Sequence, residues 1–265
     1  KIIFLAPTGG NPDFSSCRKD GGKMIQKTRK LVLLKNKILQ MKNIIITGTS
    51  RGIGNELALK FANEGHNVLA ISRKTCANLA KHENVTCLSV DLSNENELLD
   101  IANFLSSTWK QVDIIINNAG AIINKPFAQT RVEDFRRIYE VNVFGIVSLT
   151  QIALPYLKKG SHVVTISSMG GIQGSMKFAG LSAYSSSKGA VITLAELLSE
   201  EYKEQGISFN VLALGSVQTE MLNEAFPGYK APLSAAEMAS YIKDFSLTGN
   251  KFFNGKVLQV SSSTP

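Results

Sequence analysis

The stretch Thr47-Gly48-Thr49-Ser50-Arg51-Gly52-Ile53-Gly54 decides how this chain is read. It follows an apolar run and precedes Ile53, Leu57 and Phe61 at helical spacing, so it reads as a turn carrying the chain from a strand into an amphipathic helix. Glycines at 48, 52 and 54 let the backbone turn tightly and approach a bound group closely. The helix that begins there aims free N–H groups and the positive end of its dipole at that group. A pyrophosphate suits such a cradle. No Gly-Lys-Ser/Thr follows, so this is not a Walker loop, and the spacing also differs from GxGxxG.

Outward from this turn, short apolar runs alternate with amphipathic segments. Strands are predicted over 43–48, 67–72, 85–90, 112–117, 162–167, 208–213 and 256–260, and helices over 53–63, 95–106, 132–157, 183–205 and 235–244. Most strands are continuous in Val, Ile and Leu rather than alternating, as strands buried on both faces are. The pattern predicts an α/β fold: a Rossmann-like, doubly wound parallel sheet of about seven strands with helices on both faces, joined by right-handed crossovers. Ligands then lie at the carboxyl ends of the strands.

Composition bounds the function. The chain has 265 residues, 44% apolar, enough for one large core, and no run of eighteen apolar residues. Cys17, Cys76 and Cys87 are scattered and without CxxC spacing, which indicates a reducing compartment and a cytoplasmic location. His66, His82 and His162 share no ligand-like spacing and read as surface or strand-end residues, so no metal site is expected. The net charge of +8 invites a nucleic-acid partner, but nine Lys/Arg and two Asp fall in residues 1–40, leaving residues 41–265 nearly neutral. No nucleic-acid or membrane partner is expected. Residues 1–40 read as a basic extension, disordered or not native, before a start at Met41; a targeting leader or a phosphate-binding arm are the alternatives. Residues 41–265 form the single folded domain.

Further motifs stand at the strand ends: Asn117-Asn118-Ala119-Gly120, Asn142 between Val141 and Val143, the pair Ser167-Ser168, and Tyr184 with Lys188 four residues on, one above the other on a helix face. With the glycine turn, and in this order, they resemble the short-chain dehydrogenase/reductase family from Met41 to about Val260. The resemblance implies a nicotinamide dinucleotide, hydride transfer between a carbonyl and an alcohol, and a homodimer or homotetramer built from the two long helices. It assigns Tyr184 the acid/base role. Lys188 binds the nicotinamide ribose, Ser168 holds the substrate oxygen, and Asn142 supports a water that links Lys188 to solvent. Ser167 stays open as the alternative to Ser168. Cofactor contacts are implied for Gly48, Ser50, Arg51, Gly52, Ile53, Gly54, Arg73, Asp91, Leu92, Asn118, Ala119, Gly120, Tyr184, Lys188, Val217 and Thr219, with Asp91 at the adenine.

Two chemical expectations follow. A tyrosine with pKa near 10 is poorly matched to neutral pH, and an ammonium about 4 Å from the phenolate contributes roughly 4 kcal/mol at an effective dielectric near 20, which would bring Tyr184 toward about 7. The second concerns the cofactor. At the end of the second strand Ser72 stands where an NAD site usually places an acidic residue, and Arg73 follows; with Arg51 in the turn, this favours NADP over NAD through guanidinium–phosphate pairing.

The sequence also departs from the family. The stretch 174–180 lengthens the path from Ser168 to Tyr184, Leu214 replaces a typical proline, 220–232 is short for a substrate lid, and the ending Ser261-Ser262-Ser263-Thr264-Pro265 lacks the usual acidic-glycine close. The pocket is therefore expected to be open and permissive. The reading is an NADP(H)-dependent oxidoreductase of carbonyl or alcohol substrates, with a 3-oxoacyl-thioester (acyl carrier protein) reductase as the enzymatic alternative. A non-catalytic dinucleotide sensor or scaffold is the alternative from another class.

Overall fold

The computed structural model describes residues 41–74 and 77–261. The basic extension over 1–40 and the ending from Ser262 lie outside the described residues.

Strand β1 (Asn43–Thr47) leads through the glycine turn into α1 (Gly52–Asn63) and on to β2 (Asn67–Ser72), then β3 (Val85–Ser89), α2 (Glu95–Ser107) and β4 (Val112–Asn117). Helix α3 (Val132–Tyr139) passes through a π-helical turn at Glu140–Phe144 into α4 (Gly145–Ala153), followed by β5 (Leu157–Ser168), α5 (Ser182–Glu201) and β6 (Ser208–Leu214). After β6 come β7 (Val217–Gln218), the short α6 (Glu220–Ala225), β8 (Leu233–Ser234), α7 (Ala235–Thr248) and β9 (Val257–Val260). The main sheet has seven strands in the order β3-β2-β1-β4-β5-β6-β9, all pairs parallel, while β7 and β8 make a small separate ribbon.

The period of two along β1 shows why an unbroken apolar run suits this sheet. Ile44 and Ile46 enter one apolar layer with Leu57 and Phe61 of α1 and Met238 and Ile242 of α7; Ile45 enters the other with Leu98 and Ile101 of α2 and Leu149 of α4. All three isoleucines are fully buried, each worth about 1.5–3 kcal/mol by transfer from water. Strand order reverses between β1 and β4, so the crevice beyond their carboxyl ends is the place where such a sheet binds a ligand.

Three differences from the sequence reading have local causes. The predicted helix over 132–157 is interrupted by the π turn around Asn142. Strand β5 begins at Leu157 instead of 162, because Leu157 pairs with Val112 before a register shift at Lys158-Lys159-Gly160, where Gly160 has φ +91°. His162 is a core residue and not a strand-end one: its Nδ1 faces the Ser246 carbonyl at 3.0 Å and its Nε2 faces Asn210 Nδ2 at 3.0 Å, and burial lowers its pKa to about 4. By length and composition the helical stretch Val132–Tyr156, with an 18-residue window of mean hydropathy 1.3, is apolar enough to cross a membrane. Ile138, Val143, Ile146, Leu149 and Ala153 on it are buried within the protein.

Candidate active site

The turn after β1 is shaped by close approach. Gly48 has φ +73°, and a Cβ there would stand 2.8 Å from the Ala119 Cα; a Cβ on Gly54 would collide with the Gly48 carbonyl oxygen and the Asn118 amide. The Asn118 side chain holds the two strand ends together, donating to the Thr47 carbonyl at 2.9 Å, while Thr47 Oγ1 accepts the N–H groups of Asn118 and Ala119 at 3.1 and 2.9 Å. Helix α1 starts at Gly52 behind Arg51 with no side-chain cap and no acidic residue in its first turn. Its N–H groups and dipole thus face the cleft without a cap from the chain around them, with the Glu220 carboxylate opposite Gly52, and a phosphate suits such a helix end. The cleft in front of this turn, about 400 Å³, has Ser50, Gly52 and Asn55 on one wall and Gln218, Thr219 and Glu220 on the other. The residues present fit a dinucleotide pyrophosphate: an uncapped helix end and a glycine surface that any side chain would fill.

Beyond the cleft, strand β5 and helix α5 bring Ser168, Tyr184 and Lys188 together. The Ser168 hydroxyl faces the Tyr184 phenol closely enough to lower its pKa, and it accepts the Gly170 N–H at 3.3 Å. Burial raises the Tyr184 pKa above its ordinary value, and the Ser168 hydrogen bond offsets part of that. Lys188 is buried, 4% exposed, with its Nζ 5.9 Å from the Tyr184 ring centre. That ammonium donates to the Ile166 carbonyl at 2.8 Å, and burial lowers its pKa to about 8. The expectation that Lys188 pulls the phenol toward neutrality is therefore corrected. A buried ammonium has to be hydrogen-bonded, the strand-end carbonyl satisfies it, and desolvation then dominates the phenol.

Ser167 and Ser168 differ in what they touch. Ser167, buried, donates to the Lys188 backbone carbonyl at 2.8 Å and so pins α5 to the end of β5; Ser168 is the one that meets the phenol. Asn142, wholly buried at the π turn, accepts the Ala121 N–H at 2.7 Å and donates to the Ala121 carbonyl at 3.0 Å and to Ser187 Oγ at 2.9 Å. π-Helical turns of this kind commonly sit at functional sites. Gly120 leaves space between Asn142 Oδ1 and Lys188 Nζ: a Cβ there would lie 3.5 and 3.6 Å from them.

The remaining predicted contacts are more dispersed. Asp91 spends its carboxylate on Ser93, at 2.6 Å to the hydroxyl and 3.0 Å to the N–H; burial raises its pKa, but those bonds and the nearby Arg73 leave it below the usual carboxylate value. Leu92 is buried against Gly145, Val217 is buried in β7, and the Thr219 hydroxyl caps α6 by accepting the Leu222 N–H at 3.2 Å. Ser72, nearly buried, donates to the Lys74 carbonyl at 2.7 Å, and Arg73 is exposed. Arg51 reaches across the cleft to a bidentate ion pair with Glu224 of α6. Sequence reasoning missed Glu224, Ser187 and Asn124, whose amide donates to the Ala225 carbonyl at 2.9 Å. Only the i, i+3 placement of Ser187 after Tyr184 could have marked one of them.

A family model for the short chain dehydrogenases matches residues 42–230. The chain belongs to that family. Its relatives include the 7alpha-hydroxysteroid dehydrogenase of Escherichia coli K12, 35% identical over 195 residues covering 69% of this chain and 74% of the relative. Among solved structures, a short chain dehydrogenase from Burkholderia cenocepacia J2315 in complex with NADP superposes with a TM-score of 0.76 at 23% identity, over 85% of this chain and 98% of that one. A 4-hydroxyisoleucine dehydrogenase complexed with NADH gives a TM-score of 0.75 at 23% identity, over 84% and 98%. These likenesses establish the short-chain dehydrogenase fold and leave the choice between the two dinucleotides to the chain's own residues.

Proposed function

We propose that this short-chain dehydrogenase is an NADP(H)-dependent oxidoreductase that interconverts a carbonyl compound and its alcohol, with Tyr184 as the acid/base. The observation that carries the reading is that Ser168 and the buried Lys188, its Nζ 5.9 Å from the phenol ring centre, flank Tyr184. The bound dinucleotide supplies or accepts the hydride. Gly48, Gly52, Gly54 and the uncapped start of α1 hold its pyrophosphate, and Asn118, Ala119 and Gly120 form the floor of the cleft.

In the reducing direction a protein group must deliver a proton to the carbonyl oxygen. Ser168 holds that oxygen with its hydroxyl. Tyr184, kept protonated at neutral pH by burial, donates its proton to it. The phenolate left behind lies beside the Lys188 ammonium, whose Nζ is 5.9 Å from the Tyr184 ring centre, and that attraction offsets part of the desolvation cost. Asn142 fixes the Ala121 backbone and, through Ser187, the turn of α5 that carries Tyr184, so it acts as a positioning residue. Exposed Phe144 at the π turn before α4 and exposed Leu197 on α5 support a homodimer or homotetramer built on those helices, and the scattered cysteines support a reducing, cytoplasmic setting.

NADP is favoured because the end of β2 offers Ser72 and Arg73 and no carboxylate. A screen of NADPH oxidation over aldehydes, ketones, quinones and acyl thioesters tests the assignment. Turnover of a carbonyl compound is the expected result, and binding of either dinucleotide without turnover of any of them would overturn it.

A further inference from the structure

Helix α6 is fastened at its carboxyl end to both sides of the site. Glu224 pairs with Arg51 of the glycine turn, one carboxylate oxygen to each terminal guanidinium nitrogen, and the Ala225 carbonyl accepts the Asn124 amide at 2.9 Å. Arg51 and the α6 residues Glu220 and Asn223 line the same cleft, and the Arg51–Glu224 pair ties the glycine turn to α6 beside it. Glu220 adds a second negative charge beside the guanidinium. With its end-on fork given to Glu224, Arg51 keeps only the Nε–H side of its guanidinium for a phosphate, and the carboxylate beside it repels an approaching anion.

We propose that Glu224 is a specificity-determining residue that competes with the cofactor's 2′-phosphate for Arg51. The inference rests on the NADP(H) reading above. NADP(H) gains the end-on fork of Arg51 only by taking it from Glu224, which releases the end of α6, whereas NAD(H) has no phosphate to exchange for the carboxylate and leaves the pair intact. Glu224 thus lowers the preference for NADP(H) that Arg51 and Arg73 would otherwise give, and couples recognition of the 2′-phosphate to opening of α6 over the cleft. The pair is solvent-exposed, 46% at Arg51 and 60% at Glu224, so the competition is modest in size and weakens with salt.

The test is equilibrium titration of NADPH and NADH by cofactor fluorescence on the full chain, in low and high salt, for wild type, Glu224→Gln, Arg51→Gln and the double variant. Glu224→Gln is expected to tighten NADPH by about two- to fivefold, the range of an exposed ion pair, and to move NADH less than twofold. In the Arg51→Gln background the same substitution should have no selective effect. An equal tightening of both cofactors, or none, alongside selective loss of NADPH binding in Arg51→Gln would overturn the competition and leave the cofactor reading standing. An unmoved NADPH/NADH ratio in Arg51→Gln would remove Arg51 from phosphate recognition and overturn the competition alone, while a wild type that binds NADH in preference to NADPH would overturn the cofactor reading as well.

Discussion

The Ser167 hydroxyl donates to the Lys188 backbone carbonyl at 2.8 Å, while the Lys188 ammonium donates back to the Ile166 carbonyl at 2.8 Å. Strand β5 and helix α5 are thus stitched together by two successive residues near the carboxyl end of the strand. The stitch leaves the next serine, Ser168, facing the Tyr184 phenol.

The two serines should therefore separate on substitution. Ser168→Ala is expected to lower kcat by 100-fold or more with little change in melting temperature. Ser167→Ala leaves a buried carbonyl with one bond fewer and costs about 1–3 kcal/mol of stability, while kcat stays within about fivefold. Steady-state kinetics and denaturant unfolding on the two variants decide between them, and the reverse pattern would make Ser167 the oxygen-holding group.

Lys188 should cost stability where it gives function. Its folded pKa of about 8 lies below the unfolded value of 10.5, so between these two pH values the unfolded chain holds a proton that the native state has released. Unfolding free energy must then rise with pH across that window, by about 3 kcal/mol in total for a shift of this size. Lys188→Met should lack the rise while losing activity. Comparing urea midpoints of wild type and variant at several pH values from 7 to 10.5 checks this.

His162 makes the opposite end of the stability profile steep. It is neutral in the fold until about pH 4 and takes a proton in the unfolded chain near 6.5, so stability falls as pH drops from 6.5 to 4. The loss is about 3 kcal/mol at most, and His162→Gln should flatten it.

Cofactor choice at the end of β2 is open to a direct switch. Ser72→Asp with Arg73→Ile removes a positive partner and adds a negative charge where the 2′-phosphate would sit, so the NADPH/NADH ratio of kcat/KM should fall by at least about tenfold. A wild type that already prefers NADH, or a ratio unmoved by the double substitution, would assign Arg73 to the solvated surface.

Much of this was legible in the residues because the local signals agree. The run Ile44-Ile45-Ile46 and the glycine turn specify a strand buried on both faces and a phosphate cradle, and the switch point lies where those motifs place it. The charges were less legible. Spacing puts Tyr184 and Lys188 on one helix face, but whether the ammonium reaches the phenol or the Ile166 carbonyl depends on a strand 22 residues away in sequence. The Arg51–Glu224 pair closes over 173 residues and has no local pattern at all. His162 read as peripheral because a lone histidine carries no sign of the Asn210 and Ser246 groups that hold its two ring nitrogens in the core.

The central claim is that the Tyr184 hydroxyl transfers the proton. The most direct measurement sets NADPH affinity and reductase turnover side by side for Tyr184→Phe, using the best carbonyl substrate of wild type. The account predicts NADPH binding within about threefold of wild type and kcat lowered by about 100- to 10,000-fold, the range of general acid catalysis. Turnover within tenfold of wild type, with binding intact, would contradict it.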